Sequence, residues 1–480
     1  MSGLMVQGTA SGVGKSVLCA GLCRLLARRG VRVAPFKPQN MSNNAAVTVD
    51  GGEIGRAQAL QAFACGIAPV VDMNPILIKP ESDETAQLVL RGRATGRLEA
   101  HRFRQDRRAW LDLVVESYHR LARNYDRIIV EGAGSCAEPN LRDGDCANMG
   151  FATAADLLVW IVGDIDRGGV FAALRGCLDT LATADRARVG AVVVNRFRGH
   201  RPLLDDALVW LERACGTTVA GVVPWLPLDL PEEDAPYRHL ATVESPSDRA
   251  PFRVVAVSYP YASNLDDLDP LAAEAGVTVR LVRTPGALVG ADVVILPGSK
   301  QVARDLAWLR RQGFVEGLLR HLRYGGRLVG LCGGLQMLST RLVDDAGIEG
   351  GSCLGLGLLP VTSRMGKAKR LARIDATARW PAPVRVTGYE IHHGTTEADP
   401  ALFPFVARSA DGQVWGSYLH GLFASGVYRR AWLRAMDGPA GDGMDHEGHT
   451  LASLDRLADA LEAALRPDLL APLLERGVAA

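Results

Sequence analysis

No Cys-x-x-Cys pair occurs in this chain. Its nine cysteines, at positions 19, 23, 65, 136, 146, 177, 215, 332 and 353, are scattered and odd in number. That excludes a disulfide framework or a structural zinc site as the organising device and fits a reducing cytoplasm. An excess of either charge is also missing: 54 basic against 53 acidic residues leave a formal net charge of +1. The overall balance therefore points to neither nucleic acid nor a membrane surface as a partner. No stretch is long and apolar enough to span a bilayer, and the opening "MSGLMVQGTASG" has no basic region followed by an apolar core. The expectation is a cytoplasmic protein, neither exported nor embedded. Internal repeats and low-complexity segments are absent as well, and the sequence leaves room for a homo-oligomer.

What is present is a long alternation of short apolar runs with helical segments. At 480 residues the chain exceeds what one core usually organises, so two or three domains are expected. "GLMVQG", a helix from about Lys15 to Arg29, "VRVAPF", "DRIIVEGAG", "DLLVWIVGD" and "VGAVVVNRF" follow in turn. Apolar strands without strict alternation, separated by helices, are what a parallel sheet covered on both faces produces, so the fold class is α/β. Between residues 224 and 251 the pattern dissolves into a proline-rich, acidic stretch, after which a second α/β series begins with "FRVVAVSYP" and later turns to shorter strands. The expected domains are 1–235, a linker at 236–251, 252–440, and a helical extension at 441–480. The amphipathic leucine pattern near the C-terminus predicts packing against the second domain.

"GTASGVGKS", Gly8 to Ser16, follows a strand and opens a helix, the context a phosphate-binding loop requires. Five residues rather than four separate its first glycine from the Gly-Lys pair, which makes it a longer variant. Small residues, with Gly8, Thr9, Gly12 and Gly14 in the loop, let backbone N–H groups curl round phosphates. Lys15 brings a point charge, and the Ser16 hydroxyl is suited to Mg²⁺. Further polar groups sit at predicted strand ends, where an open α/β sheet binds ligands: Lys37, Glu131, Asp164 and Asp166. Carboxylates there suit a hard cation shared with phosphate oxygens.

"LVGLCGGLQML" frames Cys332 with glycines at a strand-to-helix corner. Alone, it fits a packed thiol as well as a nucleophile. In the second reading, Gly-x-Cys-x-Gly is an elbow that exposes the thiol, the following helix favours thiolate, and the Gly333 N–H helps stabilise an oxyanion. A second donor is expected from "LPGSK", around Gly298 or Ser299. His392, His393 and His420 are the candidate bases. His392 and His393 are adjacent on a strand, so at most one of them faces a given cleft.

Together these motifs carry a family resemblance. "GTASGVGKS" is similar to the phosphate loop of dethiobiotin-synthetase-type carboxylate-activating domains. "PQNMSNNAAVTVDGGEIGRAQ", "MNPILIKPES", "EGAGSCAEPNLRDGDCANMGFA", "GDIDRGGVFA" and "VVVNRFRG" closely resemble the cobyrinic acid a,c-diamide synthase and cobyric acid synthase family. So do "ILPGSK", "GLCGGLQMLS", "GYEIHHG" and "WGSYLHGLF", which look like its class I glutamine amidotransferase domain. The resemblance implies an N-terminal ATP-dependent domain and a C-terminal glutaminase, with ATP, Mg²⁺ and L-glutamine as reactants. Their product would be the b, d, e and g amides of adenosylcobyrinic acid a,c-diamide, a corrinoid. The sister reaction at the a and c carboxylates is the alternative. By the same resemblance His420 is the base, Asn195 reads the purine edge, Asp50 joins Ser16 and Glu131 at the metal, and Asp143 and Asp145 orient substrate. The common amidotransferase pattern has a glutamate two residues after its histidine; here that position is Leu422. Its absence sets the chain apart from cytidine triphosphate synthetase, and what orients the imidazole is left open. An intact Cys332 and His420, and Thr9-Ala10 where partitioning ATPases carry an extra lysine, separate the chain from that non-enzymatic class.

Overall fold

The computed structural model describes residues 3–81, 84–99, 103–230, 252–439, 441, 443 and 445–475. Two compact units emerge: Met1–Ser42 with Thr48–Asp234 and Thr450–Ala480, and Asn43–Val47 with Ala235–His449. The expected linker at 236–251 lies outside the described residues.

In the first unit the apolar runs become a six-stranded parallel sheet. Its order is Thr218–Pro224, Val189–Phe197, Leu158–Asp164, Gly3–Gly8, Arg127–Glu131 and Val33–Phe36. Gly3–Gly8 is buried throughout, which is why it shows no alternation of polar and apolar residues. The order places this strand between two that come much later in the chain, and the carboxyl ends at such a switch point are where ligands bind. A second, four-stranded sheet, Gln39–Met41, Ile76–Pro80, Thr85–Leu90 and Arg93–Glu99, was not anticipated.

The C-terminal helices require a correction. From Thr450 onward they belong to the first unit, not the second. Leu454, Leu457, Leu461, Leu470 and Leu473 are buried in the same cluster as Leu4, Val6, Leu18 and Leu22. The reason is shape. A Cβ at Gly21 would lie 2.5 Å from Leu461 Cδ1 and 2.7 Å from Leu457 Cγ, so the bare face of the helix Lys15–Arg28 is what those leucines cover. Arg24 Nε donates to Asp455 Oδ1 at 2.7 Å beside them.

The second unit has its own sheet, in the order Val277–Val282, Phe252–Val257, Val293–Leu296, Arg327–Leu331, Val414–Ser417 and Ala407–Arg408. Only the last pairing is antiparallel. Clusters of buried residues cover both faces. The expected short strands near its end include a long antiparallel ribbon, Thr362–Thr377 with Arg385–Thr396.

Candidate active sites

In the second unit Cys332 occupies the corner between the strand Arg327–Leu331 and the helix Gly333–Leu338. Its φ of 51° and ψ of −108° are strained for a non-glycine residue, a cost of order 1–3 kcal/mol that marks functional turns. Its neighbours must be glycines. A Cβ on Gly334 would sit 1.9 Å from Leu296 O, and one on Gly333 would sit 2.7 Å from Ser299 N. The Cys332 thiol donates to Ile391 O at 3.8 Å.

His420, 1% exposed, is set beside it by a backbone bridge with Tyr389: His420 N donates to Tyr389 O at 2.9 Å, and Tyr389 N to His420 O at 3.1 Å. The two rings stack with centroids 5.2 Å apart. Nδ1 of His420 lies 2.7 Å from Asp267 Oδ2, and Asp267 Oδ1 accepts from Gly421 N at 2.7 Å. One carboxylate therefore fixes both the ring and the backbone behind it. His420 Nε2 has no hydrogen-bond partner among the described residues. Burial opposes a charged ring, but the Asp267 carboxylate and Cys332 outweigh it and push the imidazole up to about 10. The result is a buried Cys332–His420–Asp267 line with the ring held in one orientation.

Asp267 was missed in the sequence. It lies in "NLDDLDPL", just beyond the first strand of the second series, and position at a strand end was the available signal. Asp266, Asp267 and Asp269 are all buried there, and pattern alone does not choose among them. Glu390, the acidic residue next to the candidate histidines in "GYEIHHG", pairs with Arg370 and lies 3.8 Å from His392 Nε2. The other two histidines hold backbone, with His392 Nδ1 3.0 Å from Gly394 O and His393 Nδ1 3.2 Å from Gly366 O. His392 also stacks on Tyr418. Gly298 reaches this cluster: a Cβ there would lie 3.7 Å from His420 Cε1.

In the first unit the loop after Gly3–Gly8 turns on glycines. Gly14 has φ 95°, and a Cβ on it would meet Asn195 Nδ2 at 2.3 Å, so both conformation and space demand glycine. Asn195 donates to Val13 O at 2.9 Å, which puts its amide against the loop. Lys15, buried, donates to Ala10 O and Gly134 O, each at 2.9 Å. Glu131 is 0% exposed at the end of Arg127–Glu131 and gathers the rest. Its Oε1 accepts from Ser16 Oγ and Lys37 Nζ, both at 2.7 Å; its Oε2 accepts from Gln61 Nε2 at 2.6 Å. Burial alone would raise this carboxyl; Lys37 above all, then Ser16 and Gln61, reverse that and hold it below the usual glutamate range.

Of the three expected metal ligands, Ser16 and Glu131 are hydrogen-bonded to each other. Asp50 lies in an exposed turn, where it accepts from Val71 N at 3.2 Å. No group of three His, Cys, Asp or Glu side chains among the described residues is placed to hold a metal ion. The donor set, one hydroxyl over a neutralised carboxylate, still fits Mg²⁺, which usually takes one or two protein oxygens plus phosphates and water. Asp164 is tied to Arg196 at 2.9 Å, and Asp166 to Arg198 at 3.1 Å. Asp145 accepts from Ala147 N, Asn148 N and Gly150 N at 2.9–3.0 Å, shaping the turn into the helix Met149–Ala154. Asp143 is exposed near it. A cavity of about 600 Å³ opens beside the loop, lined by Thr9, Ser11, Gln39, Arg142, Asp145 and Asn148 among others.

Residues 4–236 match the CobQ/CobB/MinD/ParA nucleotide binding domain family, and residues 253–428 the CobB/CobQ-like glutamine amidotransferase domain family. A curated relative named cobyric acid synthase, from Halorhodospira halophila, is 61% identical over 98% of this chain and 97% of its own length. The chain belongs to the cobyric acid synthase family. Further family members from Rhodobacter capsulatus and Sphingopyxis alaskensis are 49% and 50% identical, covering 97% and 98% of the chain and 98% of their own lengths in each case. Membership accounts for both folds and for an amide ligase that uses glutamine. No helix among the described residues is long and apolar enough to cross a membrane.

Proposed function

We propose that this chain carries out ATP- and glutamine-dependent amidation of the b, d, e and g carboxylates of adenosylcobyrinic acid a,c-diamide, giving cobyric acid in the cytoplasm. The observation that carries the nitrogen-donor half is the Cys332–His420–Asp267 line at an elbow. In that half, Cys332 gives its thiol proton to His420 Nε2, and Cys332 Sγ attacks the side-chain amide carbon of glutamine. Backbone N–H groups at Gly333 and Gly298 face the oxyanion. His420 hands a proton from Nε2 to the departing ammonia, and water then cleaves the thioester to glutamate.

In the activating half a corrinoid carboxylate oxygen attacks the γ-phosphoryl group of ATP, ADP leaves, and an acyl phosphate forms. A carboxylate oxygen leaves badly; phosphate leaves readily when ammonia attacks the acyl carbon. Lys15 and the N–H groups of Gly12 and Gly14 balance charge on the transferring phosphoryl group, while Thr9 N is already engaged by Val162 O at 2.9 Å. Ser16 Oγ would hold Mg²⁺, which supplies further neutralisation of phosphate charge. Glu131 and Lys37 orient that hydroxyl, and Asn195, whose Nδ2 donates to Val13 O, would read the purine edge with the rest of its amide. The cavity beside Thr9 and Ser11 admits the accepting arm, with Asp145 and Asp143 on the loop that shapes it.

The relatives described above are all named cobyric acid synthase, which favours this reading over amidation at the a and c positions. Mass spectrometry of adenosylcobyrinic acid a,c-diamide after incubation with Mg-ATP and glutamine tests it. Four successive amidations are expected, and an untouched a,c-diamide would overturn the assignment. Cys332→Ser should lose glutamine-supported amidation and keep ammonia-supported amidation.

A further inference from the structure

Beneath the elbow lies a second buried carboxylate, which the chemistry above does not use. Asp305 is 0% exposed in the first turn of the helix Val302–Arg311. Its Oδ2 accepts from Ser299 Oγ at 2.6 Å, and its Oδ1 from Tyr261 N at 3.2 Å. Ser299 Oγ in turn accepts from Gln301 N at 3.0 Å. Ser299 belongs to the two-residue strand Gly298–Ser299, which runs antiparallel to Ala262–Ser263, with Lys300 N donating to Tyr261 O at 3.0 Å. One carboxylate thus ties both segments of this miniature ribbon, one oxygen to each.

The ribbon is wedged between base and nucleophile. A Cβ on Gly298 would touch His420 Cε1 at 3.7 Å and crowd Ser263 O at 2.9 Å. A Cβ on Gly333 would collide with Ser299 N at 2.7 Å and Ser299 Cβ at 3.0 Å. A shift of a few tenths of an ångström in Ser299 would therefore move the surface against which the Cys332 turn packs. Such a site depends on donors fixed before reaction, because preorganised N–H groups gain their advantage by needing no rearrangement as charge develops.

We propose that Asp305 is a positioning residue for glutamine hydrolysis, holding the Gly298–Ser299 segment in register with the Cys332 elbow through the Ser299 hydroxyl. It touches neither glutamine nor Cys332, and it acts on the rate rather than on binding. Burial supports this: it pushes the carboxyl up to about 7, against the pull of Ser299 and Tyr261 N. A group kept there at that cost, tied through one oxygen to each side of the ribbon, is placed for geometry.

The inference rests on the glutaminase reading of Cys332. Its test uses the full chain with Asp305→Asn, Asp305→Ala and Ser299→Ala. Four quantities are read for each: kcat and KM for glutamine hydrolysis, ammonia-supported amidation, the rate at which iodoacetamide alkylates Cys332, and the melting temperature. The expected result for Asp305→Ala and Ser299→Ala is a fall in kcat of roughly 10- to 100-fold, as misplacement near 1 Å produces. KM should change by less than about threefold, with alkylation and ammonia-supported amidation retained, since neither needs an oxyanion donor. Asp305→Asn, which keeps one acceptor oxygen, should recover part of the rate. Asp305→Asn and Ser299→Ala together should cost less than the product of the two. Parallel loss of alkylation, both amidations and melting temperature would reduce Asp305 to a stability residue and overturn the proposal, as would unchanged kcat. A wild-type chain with no glutamine hydrolysis would overturn the underlying reading as well.

Discussion

Asp267 shows what a single side chain decides. It stands where Leu422 leaves no glutamate, and it reaches the ring from another part of the chain, 153 residues away. With the imidazole held up to about 10, the proton that the proposed mechanism passes to ammonia is held on the ring across the neutral range. Asp267→Asn should lower the glutaminase kcat by on the order of 10²–10⁴. It should also move the alkaline limb of the pH–rate profile from near pH 10 toward neutrality, because the substitution removes what raises the ring. Because the folded value is raised, the stability contributed by the charged ring is complete below its ordinary 6.5 and is lost as pH rises through about 10. A stability–pH curve of Asp267→Asn should lack that alkaline decline. In the first unit, Lys37→Met would strand the buried Glu131 without its cation. Loss of one partner from such a pair costs about 3–5 kcal/mol, measurable by urea unfolding of the variant. Glu131's carboxyl is depressed, so its contribution is present above the unfolded value and fades as pH falls through the folded one.

At the scale of elements, the phosphate loop and the elbow are both strand-to-helix turns in which glycine is required by collisions that sequence cannot display. The glycines themselves were legible; the atoms they avoid, Asn195 Nδ2 for Gly14 and Leu296 O for Gly334, were not. The C-terminal helix is the opposite case. Its leucine stripe was plain, yet a stripe states that a face is buried and not what buries it. Gly21 supplies the socket, and Leu461→Ala should therefore destabilise the first unit by about 2–5 kcal/mol in chemical denaturation while leaving glutamine hydrolysis at Cys332 unchanged.

For the whole molecule, two folds each carry one half of a reaction. Lys15→Ala should abolish amidation from glutamine and from ammonia alike, whereas Cys332→Ser removes only the first. Liquid chromatography of corrinoid products distinguishes the two patterns. By itself the sequence determined the α/β class, both strand-to-helix motifs, and Cys332, His420, Lys15 and Ser16 as the residues to watch. These depend on local spacing and on residue chemistry, which a linear string preserves. Only the tertiary structure decided which carboxylate meets His420, that Asp50 holds the Val71 N–H, that Asp145 shapes a turn, and which unit the last helix covers. Each of these depends on contacts between residues far apart in the chain, fixed by close packing rather than by any local pattern.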